Sequence, residues 1–294
     1  AVQAQPVKVG VIFPLSGGAG PQGQLLVKSM QTMATLINES GGVLGRQIQI
    51  EARDDESTPA VGVSRANELI SAGVSVIIEG WNSPVTLAMQ PVISRAGVLD
   101  ITAISKADPI LSGEGNPLAV RLNSSNSQDG AVIANYLANR LKAKRIAFMT
   151  QNDAYGNGAQ ASIEGELKKL NHAYEKVAEE KFPFTQADFR VALTNVRSAN
   201  PDATVLINAS EGLGMPALIR QARQARIPGQ LVAAVGTMAP SVISVAGDAA
   251  NGVVGADIYF PDVEPFASNP VNQRFVARMQ EQHKHAPDKF MALG

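Results

Sequence analysis

The residues able to do chemistry are few in this chain, and their spacing speaks against most enzymes. Cysteine is absent, which removes disulfides, thiolate nucleophiles, iron–sulfur clusters and cysteine-ligated zinc together. No Walker phosphate loop, G-x-S-x-G elbow or H-E-x-x-H is present. The three histidines are His172, His283 and His285. The last two stand two apart on a charged helical stretch, which reads as a solvated face rather than a metal pair. Gly18-Ala19-Gly20-Pro21-Gln22-Gly23 formally matches the dinucleotide fingerprint G-x-G-x-x-G. Its context is poor: Pro14 to Gly17 separate it from the preceding apolar run, and Asp54 lies well beyond the ~20-residue spacing of a ribose-binding acid. A nucleotide-dependent oxidoreductase is therefore the last-ranked reading, and no cofactor is expected. Asp54-Asp55-Glu56 offers a hard-cation site, but these acids also suit the positive end of the helix entered at Thr58-Pro59. A general base at neutral pH would have to be a carboxylate or Lys106.

What remains is recognition chemistry. Ser83, next to Asn82, heads a helix whose free N–H groups favour an anion such as a carboxylate; plain N-capping is the alternative. Lys106 either supplies a positive charge or is simply exposed. Trp81, the only tryptophan, either flanks an apolar ligand or covers a rim. Tyr155, in Asn152-Asp153-Ala154-Tyr155-Gly156, either closes over a ligand or packs.

The elements that must position these residues alternate regularly. Strands are expected over 8–13, 47–52, 74–78 and 98–104, with helices over 21–38, 58–71 and 84–96. The pattern then restarts, with strands over 145–149, 174–178, 204–208 and 231–234 and helices over 128–141, 158–170, 186–198 and 215–225. This βαβ alternation implies parallel sheets with helices on both faces. It predicts an α/β protein of two similar lobes, with the short polar Asn123-Ser124-Ser125-Asn126-Ser127 suited to a hinge between them. The N-terminal lobe is 1–121 plus 252–294 and the C-terminal lobe 122–251. A strand over 253–259 and a helix over 271–283 are read as returning to the first lobe. In open parallel sheets ligands bind beyond the carboxyl ends of the strands. That rule selects the loops Pro14–Gln24, Gly80–Ser83, Ser105–Asp108, Gln151–Tyr155, Ser210–Gly214 and Val235–Met238, lining a cleft between the lobes.

Composition agrees. The 294 residues suggest about two domains at ~150 each, and 45% apolar against 17% charged excludes a disordered chain. A net charge of −1 argues against nucleic acid or an anionic membrane as partner. No apolar run reaches the ~18–20 residues of a transmembrane helix, so direct membrane insertion is not expected. Ala1-Val2-Gln3-Ala4-Gln5 carries the spacing a signal peptidase reads, with cleavage after Ala4, although an ordinary frayed terminus reads the same way.

Several stretches carry a resemblance. Val9-Gly10-Val11-Ile12-Phe13-Pro14-Leu15-Ser16-Gly17, Ile37 through Arg46, Asp54-Asp55-Glu56-Ser57-Thr58-Pro59, Asn152 through Gly156 and Ala199-Asn200-Pro201-Asp202-Ala203 resemble the periplasmic solute-binding proteins of the branched-chain amino-acid type. The resemblance runs from about residue 7 to the end. It implies a monomeric periplasmic protein of two Rossmann-like lobes, joined by a hinge, that close on a ligand and deliver it to the membrane permease of an ABC importer. It also implies three hinge crossovers, two of them near 121–124 and 249–254, and a C-terminal extension absent after Ala292-Leu293-Gly294. A ligand-sensing module of the same fold is the runner-up by class.

The resemblance further implies that a ligand carboxylate is held at Ser83 and at Ile104 through Ser105 and Lys106. Tyr155 maps to a gripping tyrosine, and Gln22 stands where an aromatic is frequent. The acid that pairs with an amino-acid ammonium falls at Val235, in the loop that also holds Thr237, and valine cannot do this. Glu211, in a neighbouring loop, is the substitute. The expected ligand is thus a small carboxylate, aromatic or aliphatic, with Lys106 as counter-charge; a branched-chain or other amino acid is the alternative.

Overall fold

The computed structural model of the chain describes residues 5–112 and 117–294. The small-residue spacing ending at Ala4 lies outside the described residues. The chain divides into two compact units, 1–123 with 259–294 and 124–258.

Unit 1 is built on five parallel strands, β1 (Val7–Phe13), β2 (Ile48–Asp54), β3 (Val76–Glu79), β4 (Leu99–Thr102) and β5 (Ala119–Arg121). Their order is β2-β1-β3-β4-β5. Register follows the apolar runs: Val9 pairs with Ile50 on one side and Val76 on the other. The inner strand β1 buries Val9, Val11, Ile12 and Phe13 in near succession, as a strand covered on both faces must. Helices α1 (Gly20–Glu39), α2 (Pro59–Ser71) and α3 (Ser83–Arg95) follow the first three strands. Each carries proline in its first turn, where the missing N–H costs nothing. Ala66 and Leu69 of α2 and Val85, Met89 and Ile93 of α3 pack on Ile12 and Ile77.

Unit 2 repeats the plan with β6 (Arg145–Gln151), β7 (Glu175–Phe182), β8 (Ala203–Ile207) and β9 (Gln230–Ala233), ordered β7-β6-β8-β9 and all parallel. Before them comes α4 (Asn126–Asn135), started by a Ser125–Gln128 capping box and continued by a π-helical segment over Tyr136–Leu141. Between and after them come α5 (Ala154–Lys169), α6 (Arg190–Ser198), α7 (Gly214–Gln224) and α8 (Pro240–Ala246). Ile133, Leu137, Phe148, Ile163, Leu167 and Val205 form the core under α4 and α5.

The structure departs from expectation at several elements. The 253–259 segment does not return to unit 1 as a strand. Val254 instead bridges to Val232 beside β9, with the Ala233 and Val254 amides donating to Val254 and Leu231 carbonyls. The second boundary therefore lies at Ile258/Tyr259, later than the apolar run Val253 to Tyr259 suggests. Helix α5 starts at Ala154 rather than 158, because Asp153 caps it by accepting from the Gly156 amide at 2.9 Å. Helix α6 starts later than 186, because the Phe189 amide donates to Gln221 Oε1 at 2.6 Å, outside the helical ladder. Helix α8 and the short α10 (Lys289–Leu293) are additional, and α9 (Pro270–His283) matches its expected span closely. Phe275 and Met279 of α9 and Met291 of α10 pack against Leu25 and Met33 of α1, so the last described residues are anchored rather than frayed.

Candidate functional site

In each unit the strand order reverses once, between β1 and β3 in unit 1 and between β6 and β8 in unit 2. Adjacent helices there lie on opposite faces, opening a crevice beyond the strand ends where ligands bind in open α/β sheets.

In unit 1, β3 ends at Glu79 and the chain turns through Gly80, Trp81 and Asn82 into α3. Asn82, not Ser83, is the N-cap, and its side chain makes no capping bond. Its carbonyl takes the Val85 and Thr86 amides at 2.9 and 3.1 Å, and Pro84 has no N–H. The first turn thus offers fewer donors to an anion than a bare helix end. Ser83 does different work: its Oγ accepts from the Lys106 and Ala107 amides, both at 3.2 Å. It ties the loop after β4 to the start of α3. In that loop the Ile104 amide donates to the Gly80 carbonyl, and the Ile104 carbonyl accepts from Asn123 Nδ2 at 2.8 Å. The Ser105 hydroxyl lies 2.8 Å from that of Thr86. Lys106 is only 5% exposed, so the reading of a simply exposed lysine is wrong. Trp81 is buried too, its ring 4.9 Å from that of Phe290. Gln22 lies buried on the first turns of α1, and its Oε1 finds no hydrogen-bond partner among the described residues.

The glycines of the Gly18–Gly23 stretch serve packing. A Cβ on Gly23 would stand 1.9 Å from the Pro14 carbonyl oxygen, so glycine there lets α1 press against the end of β1. Asp54 and Asp55 are equally local: Asp54 Oδ1 accepts from the Leu15 and Glu56 amides and Asp55 Oδ1 from that of Ser57. Among the described residues no group of His, Asp and Glu is placed to hold a metal ion. His283 instead meets Thr32, and His285 meets the Ala286 carbonyl.

In unit 2, Gln151 ends β6, donating to Asp153 and accepting from the Ala209 amide at 2.9 Å. Burial raises the pKa of Asp153 from its ordinary value, opposed by hydrogen bonds from the Gly156 amide, Gln151 and the Tyr155 amide. Tyr155 sits in the first turn of α5, buried in the α4–α5 core cluster, with its carbonyl accepting from Asn126 Nδ2 at 3.0 Å. Burial, then the charges of Asp129, Glu211 and Asp153, push its phenol well above the ordinary value. Glu211 is buried beyond β8. Val235 belongs to the apolar cluster and is only 4% exposed. The Thr237 hydroxyl donates to the Ala234 carbonyl at 2.8 Å and so closes a local turn. Asn126 Oδ1 and Asn208 Nδ2 are buried without a partner among the described residues. Sequence reasoning passed over both, although polar residues flanking apolar strands and helices are the signal for them.

Against this geometry the comparisons are decisive. The family model described as "Periplasmic binding protein" matches residues 6–294. The chain belongs to the periplasmic binding protein family. A Leu/Ile/Val-binding protein from Citrobacter freundii is 27% identical over 278 residues, covering 95% of this chain and 74% of that relative. A solved leucine-binding protein from Thermotoga maritima superposes with a TM-score of 0.84 at 26% identity, over 98% of this chain and 79% of that one. An ABC-transporter solute-binding protein from Rhodopseudomonas palustris BisB5, solved with 3,4-dihydroxybenzoic acid, gives 0.84 at 26% identity, over 98% and 77%. The fold is the type I fold of this family, with two parallel-sheet α/β lobes. The chain is a solute-binding protein of the ABC-transporter class and not an enzyme, which retires the oxidoreductase reading. Family membership places it in the periplasm, and no helix of the described residues is long and apolar enough to cross a membrane.

Proposed function

We propose that this chain captures a small carboxylate, an aromatic or aliphatic acid, between lobes that close about a hinge, and presents it to the permease of an ABC importer. The observation that carries the ligand class is Lys106. It is a buried cation just beyond the carboxyl end of β4, its backbone amide held by Ser83. A buried ammonium beside a ligand carboxylate makes a charge-assisted pair whose loss costs several kcal/mol. Val235 supports the same class, since a buried apolar residue where the family's ammonium-binding acid falls leaves a desolvated ammonium uncompensated. The unpartnered Gln22 Oε1 and Asn208 Nδ2 are further polar atoms suited to a bound molecule. The Rhodopseudomonas relative solved with a dihydroxybenzoic acid shows that the family accommodates such acids. Ligand contacts to both lobes stabilise the closed state and so shift the hinge equilibrium.

One observation favours a second reading, amino-acid binding: Glu211 is a buried acid close enough to Tyr155 to act on its phenol, and it is suited to an ammonium. A thermal-shift screen against branched-chain amino acids, their 2-keto acids and benzoate-type acids separates the two. Ligand at 100 times its Kd adds about 2.7 kcal/mol, a shift of a few degrees. A response to acids alone supports the proposal, and a response to leucine or valine replaces it with the second reading.

A further inference from the structure

Unit 1 buries a chain of hydroxyls that ends on an acid. Glu79 Oε2 lies 2.7 Å from Thr86 Oγ1, which lies 2.8 Å from Ser105 Oγ in the loop that follows β4. All three residues are buried. Gly80 sits at their centre with φ +99°, and a Cβ there would come within 2.1 Å of Thr102 Oγ1, 3.1 Å of Thr86 Oγ1 and 3.2 Å of Ser105 Oγ. Only glycine both adopts that backbone and leaves room for the hydroxyls to meet.

The direction of the chain depends on one proton. If Glu79 is ionised, Thr86 donates to it, Ser105 donates to Thr86, and Ser105 offers only lone pairs to anything beyond. If Glu79 carries a proton on Oε2, the acid donates to Thr86, Thr86 donates to Ser105, and the Ser105 proton is released to an outside acceptor. The surroundings favour the protonated acid. Glu79 Oε1 is buried with no hydrogen-bond partner among the described residues, which is tolerable for an acid carbonyl and far more costly for a carboxylate. The charged groups facing Glu79 from neighbouring elements are Asp100 of β4 and Asp55 after β2, both acids. Burial first, then Asp100, raises its pKa well above the usual range, against the pull of the Thr86 hydroxyl and of Thr102, whose hydroxyl is near the acid without a formed hydrogen bond to it.

We propose that Glu79 is protonated in the folded protein and that the Glu79–Thr86–Ser105 chain leaves the Ser105 proton free for donation to the ligand carboxylate, coupling affinity to pH. Glu79 is thus a positioning residue, acting through Thr86. The inference rests on the carboxylate reading above but not on the choice of ligand, since benzoate and leucine both carry that group.

Two measurements on the full chain test it. Infrared difference spectra at pH 7 between the wild type and Glu79→Gln are expected to show the carbonyl stretch of a protonated carboxylic acid only in the wild type; its absence overturns the proposal. Benzoate and leucine are then titrated by calorimetry from pH 5 to 9. Wild-type affinity is expected to fall about tenfold per pH unit above the folded pKa of Glu79. Glu79→Gln, whose amide donates to Thr86 at every pH, is expected to bind as tightly as the wild type at low pH and without that slope. Thr86→Val, which breaks the link between Glu79 and Ser105, is expected to bind without the pH slope of the wild type. A slope that survives in Glu79→Gln, or a Glu79→Gln that binds more weakly than the wild type at pH 5, overturns the coupling. If neither probe binds at any pH the carboxylate reading fails, while the infrared band still decides the protonation of Glu79.

Discussion

The rings of Trp81 and Phe290 lie 4.9 Å apart at an interplanar angle of 36°, so the loop leaving β3 is braced by α10, at the far end of the chain. Lys289 Nζ lies 4.0 Å from the centre of the Phe290 ring, so the same phenyl meets both a cation and the indole. The contact gives Trp81 a packing role in unit 1.

Phe290→Ala therefore removes the support of a buried indole, at an expected cost of about 3 kcal/mol in urea unfolding. Trp81 is the only tryptophan, so its emission reports the contact and is expected to shift to the red as water reaches the ring. Unchanged emission with less than about 1 kcal/mol of lost stability would mean that the loop is held by its own backbone bonds instead.

Asp55 makes stability depend on pH. Burial raises its pKa to about 6, with smaller contributions from Asp54 and Glu56, against the pull of the Ser57 amide. An acid titrating higher when folded contributes stability that is complete below its unfolded value, near 3.8, and lost as pH rises through about 6. A shift of roughly two units corresponds to ~3 kcal/mol. Asp55→Asn keeps an oxygen for the Ser57 amide and removes the charge. It is expected to exceed the wild type by about 1–3 kcal/mol at pH 8 and to match it near pH 4, as read from denaturant midpoints at the two pH values.

Ser83→Ala deprives two buried backbone N–H groups, those of Lys106 and Ala107, of their acceptor. Leaving them unsatisfied costs about 1–3 kcal/mol. Hydrogen exchange is the sharper measurement. The Lys106 and Ala107 amides are expected to lose protection while the β1 and β3 amides keep theirs. Equal protection in variant and wild type would show that another group takes over.

The strand and helix pattern was legible because the apolar runs are continuous in the inner strands and periodic in the helices, with Gly41-Gly42 marking the end of α1. Both glycines do take positive φ, 103° and 74°. Less legible were features set by three-dimensional register. Nothing in the spacing of Ser83 and Lys106 says that one side chain holds the other's amide, and a lysine in a polar loop gives no sign of being buried. Tyr155 reads as a loop residue until Asp153 is seen to cap α5. Glu79 did leave a trace, a lone acid closing the apolar run Val76-Ile77-Ile78. Its partners Thr86 and Ser105 meet it only through the turn at Gly80 and the crossover from α3 to β4.

Lys106 and Glu211 separate the two ligand classes by opposite substitutions. On the proposed reading the Lys106 ammonium neutralises the ligand carboxylate out of water, where removing one partner of a charge pair costs about 2–5 kcal/mol. Lys106→Met, close in length and apolar, is then expected to weaken benzoate binding at least 30-fold, a factor equivalent to about 2 kcal/mol. Glu211→Gln is expected to change benzoate affinity by less than about threefold, because an acid without an ammonium asks nothing of a second carboxylate. For an amino-acid ligand the pattern reverses at Glu211: its neutralisation strands a desolvated ammonium and should abolish micromolar binding. Calorimetric titration of both variants with benzoate and leucine reads all four combinations. Loss of benzoate binding in Glu211→Gln with retention in Lys106→Met would assign the decisive charge to unit 2 and overturn the role given to Lys106.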